Sequence, residues 1–153
     1  MLNVVLVEPE IPQNTGNIVR TCAATECKLH LVKPLGFSVE DKYLKRAGLD
    51  YWHMVDIKYY NSFEDLINTY PTSNFYLATT KARKRHSDVN YQAGDFIVFG
   101  KETKGLSLEI LTGREEKWIR IPMLNDARSL NLANSAAVVI YEGLRQLDYP
   151  QLR

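Results

Sequence analysis

The sequence predicts an α/β fold: one domain over residues 1–153, a mostly parallel sheet, and helices on both of its faces. Three observations predict it. Short apolar runs alternate with helical patterns along the whole chain. The first of them, Leu2–Val7, reads as a short buried strand. Two of them, Asp95-Phe-Ile-Val-Phe99 and Trp118-Ile-Arg-Ile-Pro122, run into loops of small and polar residues. Ligands of open α/β sheets sit at such carboxyl ends of strands, so two neighbouring loops of this kind suggest one small-molecule pocket and hence an enzyme.

Taken in order, Leu2–Val7 reads as a buried strand. Two prolines in Glu8-Pro-Glu-Ile-Pro12 delay regular structure until Asn14, a plausible N-cap for a helix reaching about Cys27. Lys28–Lys33 is a strand closed by Pro34-Leu-Gly36, and Val39–Ala47 is a charged helix ending near Gly48. Met54–Tyr60 is a strand, Ser62 caps a helix over Phe63–Tyr70, and Phe75–Thr79 is a strand. Phe96–Gly100, Leu106–Leu111, Trp118–Ile121 and a long helix over Leu130–Leu147 complete the alternation. The longest irregular piece is Lys81–Gly94.

Composition bounds the function. Net charge is +1, so any basic surface is local rather than global. Cys22 and Cys27 lack the paired spacing of a zinc site, and His30, His53 and His86 are scattered, so no metal is expected. Two semi-buried thiols fit a reduced compartment. Met1–Val7 is apolar but lacks a basic flank and meets Glu8-Pro9 too soon for a leader peptide. No segment could span a bilayer, and a cytoplasmic location is expected.

Gly100-x-x-x-x-Gly105 resembles half of a phosphate-binding loop, but Leu106-Ser107 follows where Lys-Ser/Thr is required, so an NTPase is disfavoured. No Gly-x-Gly-x-x-Gly follows the first strand, which disfavours a dinucleotide fold. By itself the glycine pair could equally be a strand-to-helix turn. The second loop holds Asn125, Asp126, Arg128, Ser129 and Asn131. Ser129 can cap the following helix, yet these groups are more than a cap needs. Backbone groups near Ile121 and Leu130 could hold a heterocycle edge between apolar walls. Asn17 and Arg20 lie one helical turn apart and share a face. Beside Asn14 and Thr15 that face suits an anion or a ribose, although a lone arginine is more often a surface ion pair.

Three motifs in order, Asn14-Thr-Gly-Asn-Ile-x-Arg20, Phe99-Gly-x-Glu-Thr-x-Gly105, and Ile119-Arg-Ile-Pro-Met123 with Ser129-x-Asn-Leu-x-Asn134, resemble the SPOUT superfamily of RNA methyltransferases. The similarity runs nearly end to end and is narrowest to its compact tRNA 2′-O-methyltransferases. It includes Glu8–Pro12, Arg46-Ala-Gly-Leu-Asp-Tyr51 and Gln146-Leu-x-Tyr-Pro150. The resemblance implies a C-terminal trefoil knot, a homodimer, S-adenosylmethionine as cofactor, and methylation of the ribose 2′-hydroxyl of wobble nucleotide 34 (cytidine or a modified uridine) in leucine tRNAs. Connection rules alone would predict no knot.

The cofactor-facing positions it implies are Ala78, Thr79, Gly100, Lys101, Glu102, Gly105, Ile121, Ser129, Leu130 and Asn131. Arg20 is the implied catalytic residue. A guanidinium keeps its proton at neutral pH, which favours an orienting, electrostatic role over that of a base; the sequence leaves both open. Asn14, Asn17 and Arg20 are expected towards the RNA. Lys81-Ala-Arg-Lys-Arg-His86 departs from the family's motifs. Its Lys81, Arg83, Lys84 and Arg85 are either tRNA phosphate contacts or a solvated loop. Ala133, Ala136, Ala137, Ile140, Tyr141 and Leu144 form an apolar stripe that Val138 and Val139 widen. One side could pack on the sheet and the other on a second copy, or the helix could be buried within one chain. The alternatives in function are a related enzyme acting on ribosomal RNA or another tRNA position, and a non-catalytic RNA-binding module.

Overall fold

The strands of the computed structural model form one six-stranded sheet in the order β3-β2-β1-β5-β4-β6, every pairing parallel. The structure describes residues 1–153 apart from the side chains of residues 48–50, where part of the Arg46–Tyr51 motif lies. The strands are β1 (Asn3–Val7), β2 (Lys28–Val32), β3 (Ile57–Tyr60), β4 (Phe75–Ala78), β5 (Phe96–Phe99) and β6 (Trp118–Ile119). The helices are α1 (Pro12–Thr25), α2 (Lys42–Trp52), α3 (Phe63–Thr69), α4 (Leu108–Leu111) and α5 (Leu132–Gln146).

Central strands are apolar at every position because both faces are covered. Val4 and Leu6 of β1 pack with Ile18 and Val19 of α1 and with Ala136, Val139 and Ile140 of α5. Their neighbours Val5 and Val7 point the other way, towards Phe63 and Leu66 of α3 and Leu111 of α4. Successive residues of a strand alternate in direction, so one run feeds two cores. Cys22 and Cys27 are both buried free thiols, and burial pushes both above the usual thiol range.

Several boundaries differ from the sequence reading for identifiable reasons. α1 starts at Pro12 with Ile11 as N-cap, so Asn14 is not the cap. Proline pre-sets the first helical position and supplies no N–H that would need a partner. α2 starts at Lys42 because the Asp41 carboxylate accepts from the Tyr43 and Leu44 N–H groups, and it runs past Gly48 to Trp52. The expected helix over Val39–Ala47 is therefore displaced towards the C-terminus. Ser62 caps α3 as expected, accepting from Asp65 N–H. α5 is capped by Asn131, which accepts from Asn134 N–H, and not by Ser129.

β6 has only two residues, but the chain beyond it is held from two sides. Thr79 N–H donates to the Ile119 carbonyl at 2.9 Å, on the β4 side. On the far side Arg120 N–H donates to the Lys84 carbonyl at 2.9 Å, and His86 N–H to the Arg120 carbonyl at 2.7 Å. The irregular 80–94 segment thus covers what would be an open sheet edge. From there the chain returns through the 121–131 loop to α5, which lies against α1 and β5.

Candidate active site

All six strands run the same way, so their carboxyl ends gather on one rim. The loops after β4, β5 and β6 meet α1 and α5 there around a cavity of about 580 Å³. That is within the usual range for a small-molecule site. Every residue expected to face a cofactor lines it. Ala78 and Thr79 come from the end of β4; Gly100, Lys101, Glu102 and Gly105 from the loop after β5; and Ile121, Ser129, Leu130 and Asn131 from the loop before α5. Phe99, Ile119, Leu132 and Val139 add apolar wall that the sequence reading did not assign. They were legible only as core positions.

The β5 loop is shaped by close backbone approach. A side chain on Gly100 would stand against the Gly105 carbonyl carbon and Leu106 N, so only hydrogen fits. Gly105 has φ +67, a left-handed conformation, and open space where a side chain would be. Its N–H donates back to the Lys101 carbonyl at 2.8 Å, which closes the loop.

Glu102 lines the cavity, but its carboxylate is engaged elsewhere. It accepts from Glu10 N–H at 2.8 Å, Ile11 N–H at 3.0 Å and Asn14 Nδ2 at 3.3 Å. The exchange is reciprocal, since Glu10 Oε1 accepts from Thr103 N–H at 3.1 Å and Thr103 Oγ1 at 2.7 Å. Those two bonds hold the Glu10 carboxyl below the usual carboxylate range. A carboxylate beside the first turn of α1 also suits the helix dipole. Glu102 is therefore a tie between the β5 loop and α1. Glu10 was missed from sequence because its partner is 93 positions away.

Asn14, expected at the RNA, is instead buried at the edge of the cavity and tied to two other segments. Its Nδ2 donates to Glu102, and its Oδ1 accepts from Asn131 Nδ2 at 3.0 Å. Asn17 and Arg20 do not reach the cavity. They line a neighbouring groove between α1 and α5 with Thr21, Ala137 and Tyr141. Asn131 lines both spaces. The Arg20 guanidinium is exposed and lies over the Tyr51 ring, 5.0 Å from its centroid.

The basic segment divides. Lys81 lines the cavity, and Arg83 is exposed with no ion pair among the described residues. Lys84 Nζ donates to the Glu116 carbonyl at 2.8 Å, and Arg85 pairs with Asp88 at 3.0 Å. Lys84 and Arg85 thus have partners inside the protein and serve the loop that covers β6. His86 also lines the cavity, and its buried Nδ1 has no hydrogen-bond partner among the described residues.

The model of the SpoU rRNA Methylase family matches residues 1–141. The chain belongs to this family. It is 54% identical over 157 residues to the tRNA (cytidine(34)-2′-O)-methyltransferase of Yersinia pestis, covering 98% of this chain and 96% of that protein. It is 48% identical over 151 residues to the enzyme of the same name from Escherichia coli K12, covering 98% and 96%. A solved structure described as giving structural insights into the 2-OH methylation of C/U34 on tRNA superimposes with a TM-score of 0.92 at 40% identity, covering 97% of each chain. Among the described residues no group of three or more His, Cys, Asp or Glu could hold a metal ion, and no helix is long and apolar enough to cross a membrane.

Proposed function

We propose that this SpoU-family protein is an S-adenosylmethionine-dependent methyltransferase acting on the ribose 2′-hydroxyl of tRNA nucleotide 34, a cytidine or modified uridine, in leucine tRNAs. The observation that carries this is the convergence of three loops, each following a strand, on one cavity. Family membership and the relatives spanning nearly the whole chain support the same reading.

The residues fit the cofactor. Phe99, Ile121 and Leu130 offer apolar wall for an adenine, the space over Gly105 is open, and His86 Nδ1 is an unused polar atom in the wall. When bound, S-adenosylmethionine supplies a methyl group activated by its cationic sulfur. The task left to the protein is placement of the ribose oxygen, and alignment alone is worth roughly 7–11 kcal/mol. Arg20 is suited to that task as a cation. Stacked on Tyr51 in the groove beside Asn131, it can stabilise a developing alkoxide and orient the nucleotide without giving up its proton. Lys81 and Arg83 extend the cationic surface towards the tRNA backbone.

The same reading includes a C-terminal trefoil knot and a cytoplasmic homodimer built partly on α5. The test is incubation with labelled S-adenosylmethionine and total RNA, followed by mapping of the labelled nucleotide. Label at tRNA position 34 is expected. Label in ribosomal RNA alone, or no label, would overturn the assignment. Arg20→Ala should abolish transfer while S-adenosylhomocysteine affinity holds; transfer retained by Arg20→Ala would remove Arg20 from catalysis.

A further inference from the structure

Five cations line the cavity: Lys81, Lys101, Lys104, Arg120 and Arg128. Lys101 is paired with an acid and Arg120 is held by a neutral carbonyl within the protein. Lys101 Nζ lies 3.6 Å from the Glu8 carboxylate, and Arg120 donates to the Thr80 carbonyl at 3.0 Å. The one acid in the wall, Glu102, already accepts three hydrogen bonds from the start of α1. Lys81, Lys104 and Arg128 make no ion pair and no side-chain hydrogen bond among the described residues. All three are exposed, and they come from three different loops, after β4, β5 and β6.

Three exposed cations without an ion-pair partner, gathered at one mouth, make a region of positive potential that favours an anion; only Lys104 also feels a nearby carboxylate, that of Glu10. The cofactor of the reading above does not meet that need. It brings one carboxylate together with a sulfonium and an ammonium, so its net charge is positive. A ribose within an RNA chain is different, because a phosphodiester stands on each side of it.

We propose that Lys104 and Arg128 are the phosphate subsite of this enzyme, holding the two phosphodiesters that flank the target ribose. The inference rests on the methyltransferase reading. It assigns the β5 and β6 loops two tasks, enclosing the cofactor with their small and apolar residues and gripping the substrate backbone with their free cations. Arg128 suits a two-pronged bond to one phosphate, and Lys104 a point contact to the other. The consequence is a substrate requirement. The ribose must be inside a chain, and free nucleosides would be refused.

The test uses the intact protein, the Lys104→Ala and Arg128→Ala variants, and synthetic anticodon stem-loops in which one flanking phosphate is replaced by a neutral methylphosphonate. RNA affinity is read by fluorescence anisotropy across a salt series, cofactor affinity by calorimetry with S-adenosylhomocysteine, and methyl transfer by labelled S-adenosylmethionine. Each variant should bind the stem-loop about tenfold more weakly, as expected for loss of a charge-assisted bond. Its salt slope should be lower by about one phosphate's worth. Each neutral linkage should weaken the intact protein similarly, and should add nothing further in the variant that lacks the matching cation. S-adenosylhomocysteine affinity should be unchanged.

Fully additive effects of linkage and substitution would overturn the subsite. So would a loss of S-adenosylhomocysteine affinity, which would show that the cations serve the cofactor. Intact protein that transfers methyl groups to tRNA but lacks the coupling defeats the subsite alone. Coupling without any transfer defeats the methyltransferase reading and leaves a phosphate-gripping RNA site.

Discussion

Asn131 Nδ2 donates to Asn14 Oδ1 at 3.0 Å, joining residues 117 positions apart. Through this bond the loop that closes the cavity is attached to the helix that carries Arg20. Asn14 in turn donates to Glu102 of the β5 loop. Three segments, each holding part of one motif, thus meet at one buried amide. The arrangement ties the cavity loops to the helix that carries Arg20, which itself stands in the adjoining groove.

That coupling can be measured. Asn14→Ala leaves Glu102 and Asn131 each short of a partner, and about 1–3 kcal/mol of stability should be lost. The loops after β5 and before α5 should also lose their common anchor, so S-adenosylhomocysteine should bind more weakly. Glu102→Gln is the companion variant. An amide cannot accept from both the Glu10 and Ile11 N–H groups as the carboxylate does. Denaturation and calorimetry would report both effects; unchanged cofactor affinity in both variants would show that the tie is purely structural.

What the sequence discloses and what it hides follows from the range of the interactions. The central strands were legible because double-sided burial writes continuous apolar runs such as Phe96–Phe99. The cavity residues were legible because motif order survives in the chain. The role of Glu102 was not, because its partners Glu10, Ile11 and Asn14 are 88 to 92 positions away. Asn14 read as a cap because local chemistry allowed it, while Pro12 decided the start of α1. Asn131 displaced Ser129 as the α5 cap, leaving Ser129 free at the cavity wall. Lys84 and Arg85 read as free cations because a charge count shows neither the carbonyl of Glu116, 32 positions from Lys84, nor the turn that folds the Asp88 carboxylate back onto Arg85.

The two loop glycines should respond differently to alanine. At Gly100 a methyl group would collide with the Gly105–Leu106 backbone, which cannot withdraw without opening the loop. Gly100→Ala should therefore cost more than about 3 kcal/mol or prevent folding, through steric overlap rather than through the cofactor. Gly105→Ala meets open space and carries only the strain of φ +67, about 1–2 kcal/mol. Urea denaturation of the pair decides this, and equal losses would contradict the geometry.

His30 makes stability depend on pH. It is fully buried on β2, with Nε2 2.9 Å from Asn3 Oδ1 and Nδ1 3.0 Å from the Tyr60 hydroxyl. A neutral ring donates to the first and accepts from the second. Burial, with help from Lys58, lowers its pKa from 6.5 to about 4. Between those values the unfolded chain binds the proton and the folded chain does not, so stability rises with pH across that window. The contribution is complete above 6.5 and is lost as pH falls towards 4, amounting to roughly 3 kcal/mol. Denaturant midpoints at pH 7.5 and 4.5 should differ more for the intact protein than for His30→Gln, which cannot titrate there. An equal difference would show that His30 is not the group responsible.

The last prediction concerns the second copy. On α5, Ala136, Val139, Ile140, Gly143 and Leu144 are buried within the chain, so one side of the predicted stripe packs on the sheet. The other side does not close. Val138 and Tyr141 remain 42% and 45% exposed, and Ala133, Ala137 and Tyr141 form a wall of the groove that holds Arg20. Small alanines there would let another helix approach closely, with Tyr141 as the large contact. A dimer joined on this face would also enclose Arg20 and bring it towards a cavity of the assembly. Sedimentation at micromolar concentration should show twice the 17.6 kDa chain mass. Tyr141→Asp should shift it towards monomer, since it would bury an unpaired charge, and methyl transfer should fall in step with the dimer fraction. A monomeric intact protein with full activity would remove both the dimer and the reason for the open groove.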